Sequence, residues 1–169
     1  PTPAGGFASY GNKGKFNNSI TLSNAGLRGD GTINYLTSTL SSKDLIFYPD
    51  SVNGTAETFE VKEQKSTGKT EYPPVKADTV YVHWMPKKDL MQIYSINKAM
   101  DFYNGQAAMK GRVDYSPQAM TGNGKLDFSG ASMSADLMKF KNKKVTSDTA
   151  SFSLKALEGS QFAFSTKNV

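Results

Sequence analysis

The stretch Ile20 to Lys62, ITLSNAGLRGDGTINYLTSTLSSKDLIFYPDSVNGTAETFEVK, decides the fold because the chain repeats its pattern. Shifted by 93 positions and without a gap, it lies over Val113 to Lys155, VDYSPQAMTGNGKLDFSGASMSADLMKFKNKKVTSDTASFSLK. Identities fall at Ser23/Ser116, Gly29/Gly122, Gly31/Gly124, Ser41/Ser134, Phe47/Phe140, Val52/Val145, Phe59/Phe152 and Lys62/Lys155. The apolar positions agree more widely, at Ile20/Val113, Leu22/Tyr115, Leu27/Met120, Ile33/Leu126, Tyr35/Phe128, Leu40/Met133, Leu45/Met138 and Val61/Leu154. A core pattern that persists while polar positions vary is the mark of a duplicated structural unit. The expected division is residues 1–68, a first and incomplete unit, and residues 69–169, a second.

Within the segment, apolar residues alternate with polar ones as a half-buried strand requires. Ile20 and Leu22 alternate, Asn24 to Gly31 reads as a turn, and Ile33 and Tyr35 point inward from the next strand. Leu40 to Tyr48 is a further strand, stopped by Pro49-Asp50-Ser51. Asn53-Gly54 then reads as a tight turn before Phe59 and Val61 share one face.

Composition agrees. The 169 residues are rich in aromatic and β-branched types, Gly is high at 15, and long Ala/Leu/Glu-rich runs are missing, so strand is favoured over helix. That length holds one sizeable all-β domain or two small ones. Cysteine is absent, which excludes a disulfide frame, a thiolate nucleophile and a Cys-based metal site. A net charge of +5 is ordinary for solubility and weak as a sign of a partner. No run of 18 apolar residues can form a membrane-spanning helix, and PTPAGGFASYGNKGK at the start has no signal-peptide core. Both ends fall inside the repeat phase, so the chain reads as a piece of a longer protein, a reading that leaves room for a removed signal peptide.

Elsewhere, residues 1 to 18 read as an arm or loop, and Glu63 to Pro74 as a linker. Ala77 to Met85 is the cleanest strand, with Val80, Val82 and Trp84 on one face and Tyr81, His83 and Met85 on the other, as in a central strand. Lys87-Lys88-Asp89 turns, Leu90 to Ser95 is a strand, and Ile96 to Phe102 fits either strand or a short helix. Asn104-Gly105 is a hairpin signal, followed by a long strand from Gln106 to Ser116 with Gly111 as a bulge.

Each tempting chemical motif has a plainer reading. Arg28-Gly29-Asp30 matches an integrin-binding tripeptide, but the same place in the second copy is Thr121-Gly122-Asn123. Gly29, Gly31, Gly122 and Gly124 are therefore read as structural turn glycines held at positive φ. They lack the third glycine and following helix of a dinucleotide site. Lys139, Lys141, Lys143 and Lys144 surround Phe140, but their counterparts are Ile46, Tyr48, Asp50 and Ser51, so the cluster reads as a solvated strand end and a nucleic-acid partner is disfavoured. His83 is the sole histidine. With no second ligand type beside it, a packed histidine is expected, no metal site is assigned and no cofactor is implied. The carboxylates Asp44, Asp50, Asp101, Asp114, Asp127, Asp136 and Asp148 are scattered at turns and solvent-phase positions, so no catalytic residue is assigned. Asn17-Asn18-Ser19 and Asn53-Gly54-Thr55 match the glycosylation sequon, and the second is read as a hairpin turn.

The run from Tyr103-Asn104-Gly105 to Gly111, then Gly122-Asn123-Gly124-Lys125-Leu126-Asp127-Phe128 and its echo in Gly29 to Tyr35, resembles the serial repeats of large envelope or surface proteins of Bacteroidetes-type bacteria. It is also similar to the OstA-like β-jellyroll family of lipopolysaccharide transport. The resemblance covers most of the chain after residue 15 and implies an extracytoplasmic, non-enzymatic, elongated β protein. It brings no functional residue to any position here.

The fold expected is all-β, two related antiparallel units arranged end to end as a sandwich, jellyroll or β-roll. The function expected is a structural or adhesive module of a larger cell-surface or envelope protein, whose partners are other repeats of the same chain or a surface glycan or lipid. One alternative is a carbohydrate- or lipid-binding module in which Trp84, Tyr81, Tyr94 and Tyr103 form the platform or lining. The other is a carboxylate-based hydrolase, which needs two acids facing each other across a cleft.

Overall fold

Side chains on an extended chain point alternately to opposite faces, and the burial of this chain follows that rule along most of its length. In the computed structural model the described residues are 20–23, 26–64, 70–149, 151–154 and 163–168, with side chains described at 27–64 and 70–148. They form fifteen strands: β1 Ile20–Ser23, β2 Gly26–Tyr35, β3 Ser38–Phe47, β4 Val52–Ala56, β5 Thr58–Val61, β6 Val75–Ala77, β7 Val80–Met85, β8 Leu90–Ser95, β9 Met100–Phe102, β10 Ala107–Tyr115, β11 Met120–Phe128, β12 Ala131–Phe140, β13 Lys144–Thr149, β14 Ser151–Leu154 and β15 Ala163–Asn168. A 3₁₀ turn at Pro86–Lys88 links β7 to β8. The protein is all-β, and the pairings are antiparallel apart from the parallel contact of β13 with β15.

Two long strands organise the sheet by each sharing one edge between two partners. Strand β3 pairs with β4 through Asp44–Phe47 and with β5 through Ser38–Ser41. Strand β10 pairs with β8 through Arg112–Tyr115 and with β9 through Ala107–Met109. The ribbon β4–β7–β8 thus bridges β3 to β10 on one side, and β5–β6–β9 bridges them on the other, closing a hydrogen-bonded circuit. Strands from both sides of position 68 lie in this circuit, and one continuous apolar cluster runs from Ile33 to Val145. Its largest fully buried members include Tyr35, Tyr115, Phe102, Phe140, Met91 and Ile93.

The pairing register recurs at the spacing of the sequence echo. Ile20 faces Gly29 as Val113 faces Gly122, and Gly31 faces Ser42 as Gly124 faces Ala135. Phe47 faces Val52 as Phe140 faces Val145, and Ser38 faces Val61 as Ala131 faces Leu154. An irregularity recurs too, between Gly29 and Gly31 and between Gly122 and Gly124. Opposite it β3 carries Lys43 and Asp44, both exposed, so the inward phase switches between Ser42 and Leu45. In β12 the same step leaves Asp136 and Leu137 outside, which explains Leu137 at 48% exposure. Buried Ser42 holds the first of these bulges, donating to the Thr55 carbonyl at 2.6 Å and accepting from the Asp44 amide at 3.1 Å.

Several turn expectations are corrected. Gly29, Gly31, Gly122 and Gly124 lie inside β2 and β11, at the bulges, and positive φ belongs to Gly31 (157°) and Gly124 (145°) while Gly29 and Gly122 have none. Gly122 is needed for space instead, since a Cβ there would stand 2.7 Å from Phe140 Cε2. Gly111 is no bulge: β10 and β11 run in unbroken register through it, and it faces Gly124. Asn53-Gly54 sits within β4, and the chain reverses at Tyr48–Ser51, where the Tyr48 amide donates to the Ser51 carbonyl at 2.8 Å. A Cβ on Gly54 would meet the Asp44 carbonyl at 2.4 Å, so its glycine serves close strand approach. Asn104-Gly105 does turn the β9–β10 hairpin, with Tyr103, Asn104 and Gly105 all at positive φ. The ambiguous Ile96 to Phe102 resolves into strand β9 at its end. Residues 1 to 18 and the sequon at Asn17 lie outside the described residues.

Candidate functional site

Strand β7 runs between β4 and β8, and its alternation sends Val80, Val82 and Trp84 into the core. Tyr81, His83 and Met85 face out, and on β8 the outward residues are Gln92 and Tyr94. Register then assembles two rows across four strands. Thr55, Tyr81, Tyr94 and Arg112 are successive cross-strand neighbours, and so are Asn53, His83, Gln92 and Asp114. Neighbours of this kind touch because opposed Cβ atoms on one face are close.

The rows are knitted by polar contacts. Tyr94 Oη donates to Gln92 Oε1 at 3.3 Å, and Gln92 Nε2 donates to Asp114 Oδ1 at 3.2 Å. Arg112 Nε lies 3.2 Å from the same Oδ1. His83 Nδ1 meets Asn53 Oδ1. The Tyr81 and Tyr94 rings stand 6.0 Å apart at 58°, and Tyr81 is 40% exposed. Ion pairs border the array, Arg28 with Asp44 at 3.3 Å and Lys125 with Asp127 at 3.6 Å.

The four aromatics singled out in the sequence therefore separate into two groups. Tyr81 and Tyr94 meet on the outer face. Trp84 is buried on the inner face, its ring 5.5 Å from that of Tyr35, and Tyr103 is buried in the β9–β10 turn, donating to the Lys141 carbonyl at 2.7 Å. Gln92 and Arg112 take no role from the sequence, where Asp114 is only one of the scattered carboxylates and Asn53 only part of a turn and sequon. The usable signal was the i, i+2 spacing of Gln92 with Tyr94 and of Arg112 with Asp114, which puts each pair on one face.

Other candidates are accounted for by local contacts. Arg28-Gly29-Asp30 is strand rather than exposed turn, with Arg28 bridged to Asp44. The lysine cluster surrounds the β12–β13 hairpin, where the Lys141 amide donates to the Lys144 carbonyl at 2.8 Å. Asp50 binds Lys87 at 2.7 Å.

Inside, Tyr35, Tyr72 and Tyr115 form an edge-to-face chain with centroids 5.7 Å and 5.0 Å apart. Their hydroxyls are all engaged: Tyr35 donates to Asp89 at 2.8 Å, Tyr72 to the Ser116 carbonyl at 2.6 Å, and Tyr115 meets the Thr37 amide and hydroxyl at 2.9 Å. Burial pushes the Tyr72 phenol up to about 12 and raises those of Tyr35, Tyr103 and Tyr115, the Asp89 carboxylate adding to the effect at Tyr35. These phenols stay protonated, Tyr35, Tyr72 and Tyr103 serving as donors and Tyr115 accepting from the Thr37 amide.

An open groove of about 520 Å³ lies over β5, β6 and β9, bordered by Glu60, Lys62, Lys76 and Asp101. Another of about 510 Å³ runs between Glu71 and the Lys139–Lys141 edge. Both mix charges of opposite sign. Among the described residues no helix is long and apolar enough to cross a membrane. Comparison with protein-family models, with curated proteins and with solved structures finds no match.

Proposed function

We propose that the protein is a non-enzymatic structural or adhesive β module of a larger bacterial cell-surface or envelope protein, placed outside the cytoplasm. The observation that carries this reading is the recurrence of the pairing register, bulge included, from Ile20–Gly29 to Val113–Gly122 and on to Ser38–Val61 and Ala131–Leu154. A strand pattern used twice within one core is the kind of unit from which longer β arrays are built. The carboxylates support a passive surface: Asp44, Asp114 and Asp127 are each held by a cation rather than facing another acid. The interior supports it also, since Trp84, Phe102, Tyr115 and Phe140 fill the space that a lipid groove would use.

The test is protease treatment of intact source cells followed by identification of the released peptides. The exposed Lys139–Lys144 hairpin is the expected first cleavage site for trypsin. Recovery of its peptides only after lysis would overturn the surface placement.

A further inference from the structure

The outer array on β4, β7, β8 and β10 contributes nothing to the core, yet it combines an exposed aromatic pair with planar polar groups in fixed rows. We propose that it binds a neutral polysaccharide, with the C–H faces of sugar rings lying on Tyr81 and Tyr94 and the hydroxyls held by Gln92, Asp114 and Arg112. This goes beyond the structural reading and does not rest on it, because binding is read on the isolated chain.

Three observations carry the assignment. The first is preorganisation: β7 and β8 are paired on both edges, so the platform is rigid before any ligand arrives. The second is unused capacity. Gln92 and Arg112 both contact Asp114 through Oδ1, which leaves Oδ2 to accept from a hydroxyl, and Gln92 keeps a second N–H to donate. The third is charge. Three cations on this face are matched by carboxylates, Arg112 by Asp114 at 3.2 Å, Arg28 by Asp44 at 3.3 Å and Lys125 by Asp127 at 3.6 Å, while Lys110 stands opposite Lys125 on the β10 side. A polyanion laid across the rings would meet Asp44 in the row of Tyr81 and Tyr94 and Asp114 in the row beside it. An uncharged polyhydroxyl chain meets donors and acceptors without net repulsion.

The experiment is native electrophoresis of the 169-residue chain through gels containing a mixed-linkage β-glucan, a galactomannan or a xyloglucan. Gels containing alginate and mixtures with a single-stranded oligonucleotide serve as polyanionic probes. Retardation by at least one neutral polymer is expected, and Tyr81→Ala and Tyr94→Ala each weaken it by about ten-fold or more in calorimetry. Tyr48→Ala, which removes an exposed tyrosine from the β3–β4 turn, leaves it unchanged. Should an alanine variant misfold, the ultraviolet difference spectrum of tyrosine on adding the retarding polymer to the unaltered chain decides the matter, and an unchanged spectrum overturns the proposal. Retardation by none of the neutral polymers, binding to polyanions alone, or full binding by Tyr81→Ala overturns it as well.

Discussion

Gly111 and Gly124 face each other across β10 and β11 so closely that a Cβ built on either would stand 3.0 Å from the Cα of the other. It would also fall 2.2 Å from the Asn123 carbonyl oxygen in the first case and 2.1 Å from that of Lys110 in the second. Both residues adopt positive φ, 133° and 145°. The two strands can approach here only because neither carries a side chain, and the obstructing atoms are backbone, which cannot rotate away.

Replacing Gly124 by Ala is therefore expected to destabilise the protein by about 3 kcal/mol or more, combining backbone strain with a steric clash. Gly105→Ala provides the contrast, since Gly105 also has positive φ (85°) but nothing lies within 4 Å of its Cβ position. Strain alone should cost about 1 kcal/mol there. Denaturant midpoints at constant m-value measure both, and equal losses would refute the close-approach argument.

Gly122→Ala poses a different conflict, because φ there is not positive and the obstructing atoms are side-chain ends, Phe140 Cε2 at 2.7 Å and Met109 Cε at 3.1 Å. Overpacking should cost about 1–3 kcal/mol. Phe140→Leu opens room, so the double variant should be more stable than the two single losses imply, with a coupling of about 0.5–2 kcal/mol in a double-mutant cycle. Strict additivity would mean that the ring is not the obstacle.

Raised phenols predict alkaline sensitivity with a definite sign. An unfolded tyrosine ionises near 10, whereas burial lifts the native Tyr72 to about 12. Below pH 10 both states hold the proton and the full stability is present. As pH rises from 10 through 12 the unfolded chain releases a proton that the native state retains, so stability falls by up to about 1.4 kcal/mol per pH unit for each such phenol. Tyr72→Phe should lose about 1 kcal/mol at neutral pH, through the bond to the Ser116 carbonyl. It should also show a shallower decline above pH 10 than the unaltered chain, read from denaturant midpoints across the range.

Trp84 is the sole tryptophan and is 2% exposed. Its emission should be blue-shifted and poorly quenched by iodide in the native state, then shift red on unfolding. Because one apolar cluster joins strands on both sides of position 68, that shift should coincide with the circular-dichroism transition. Strong quenching by iodide in the native state would place Trp84 outside the core.

Much of this was legible in the chain itself, for reasons visible at single residues. The alternation Val80, Val82, Trp84 against Tyr81, His83, Met85 assigned both faces of β7 correctly, since period-2 patterning is a local property of extended backbone. Asn104-Gly105 announced its hairpin because positive φ selects those residue types. Asn53-Gly54 carried the same signal and misled, because there the glycine answers to the Asp44 carbonyl across the sheet. Gly111 misled likewise, its partner being Gly124. A glycine needed for space and one needed for dihedral freedom look alike in a sequence.

The sequence by itself determined the all-β class, the recurrence between Ile20–Lys62 and Val113–Lys155, and the alternating faces of the best strands, all of which follow from local sterics and the spacing of apolar residues. Only the tertiary structure decided that β3 and β10 each divide one edge between two partners, that the circuit closes through β9, and that Tyr81 and Tyr94 stand beside Arg112 and Asp114. Alternation says which side of a strand is buried but not which strand lies next to it. Neighbours are chosen by the packing of the whole core, and by bulges such as that opposite Asp30, which switch the inward phase partway along a strand.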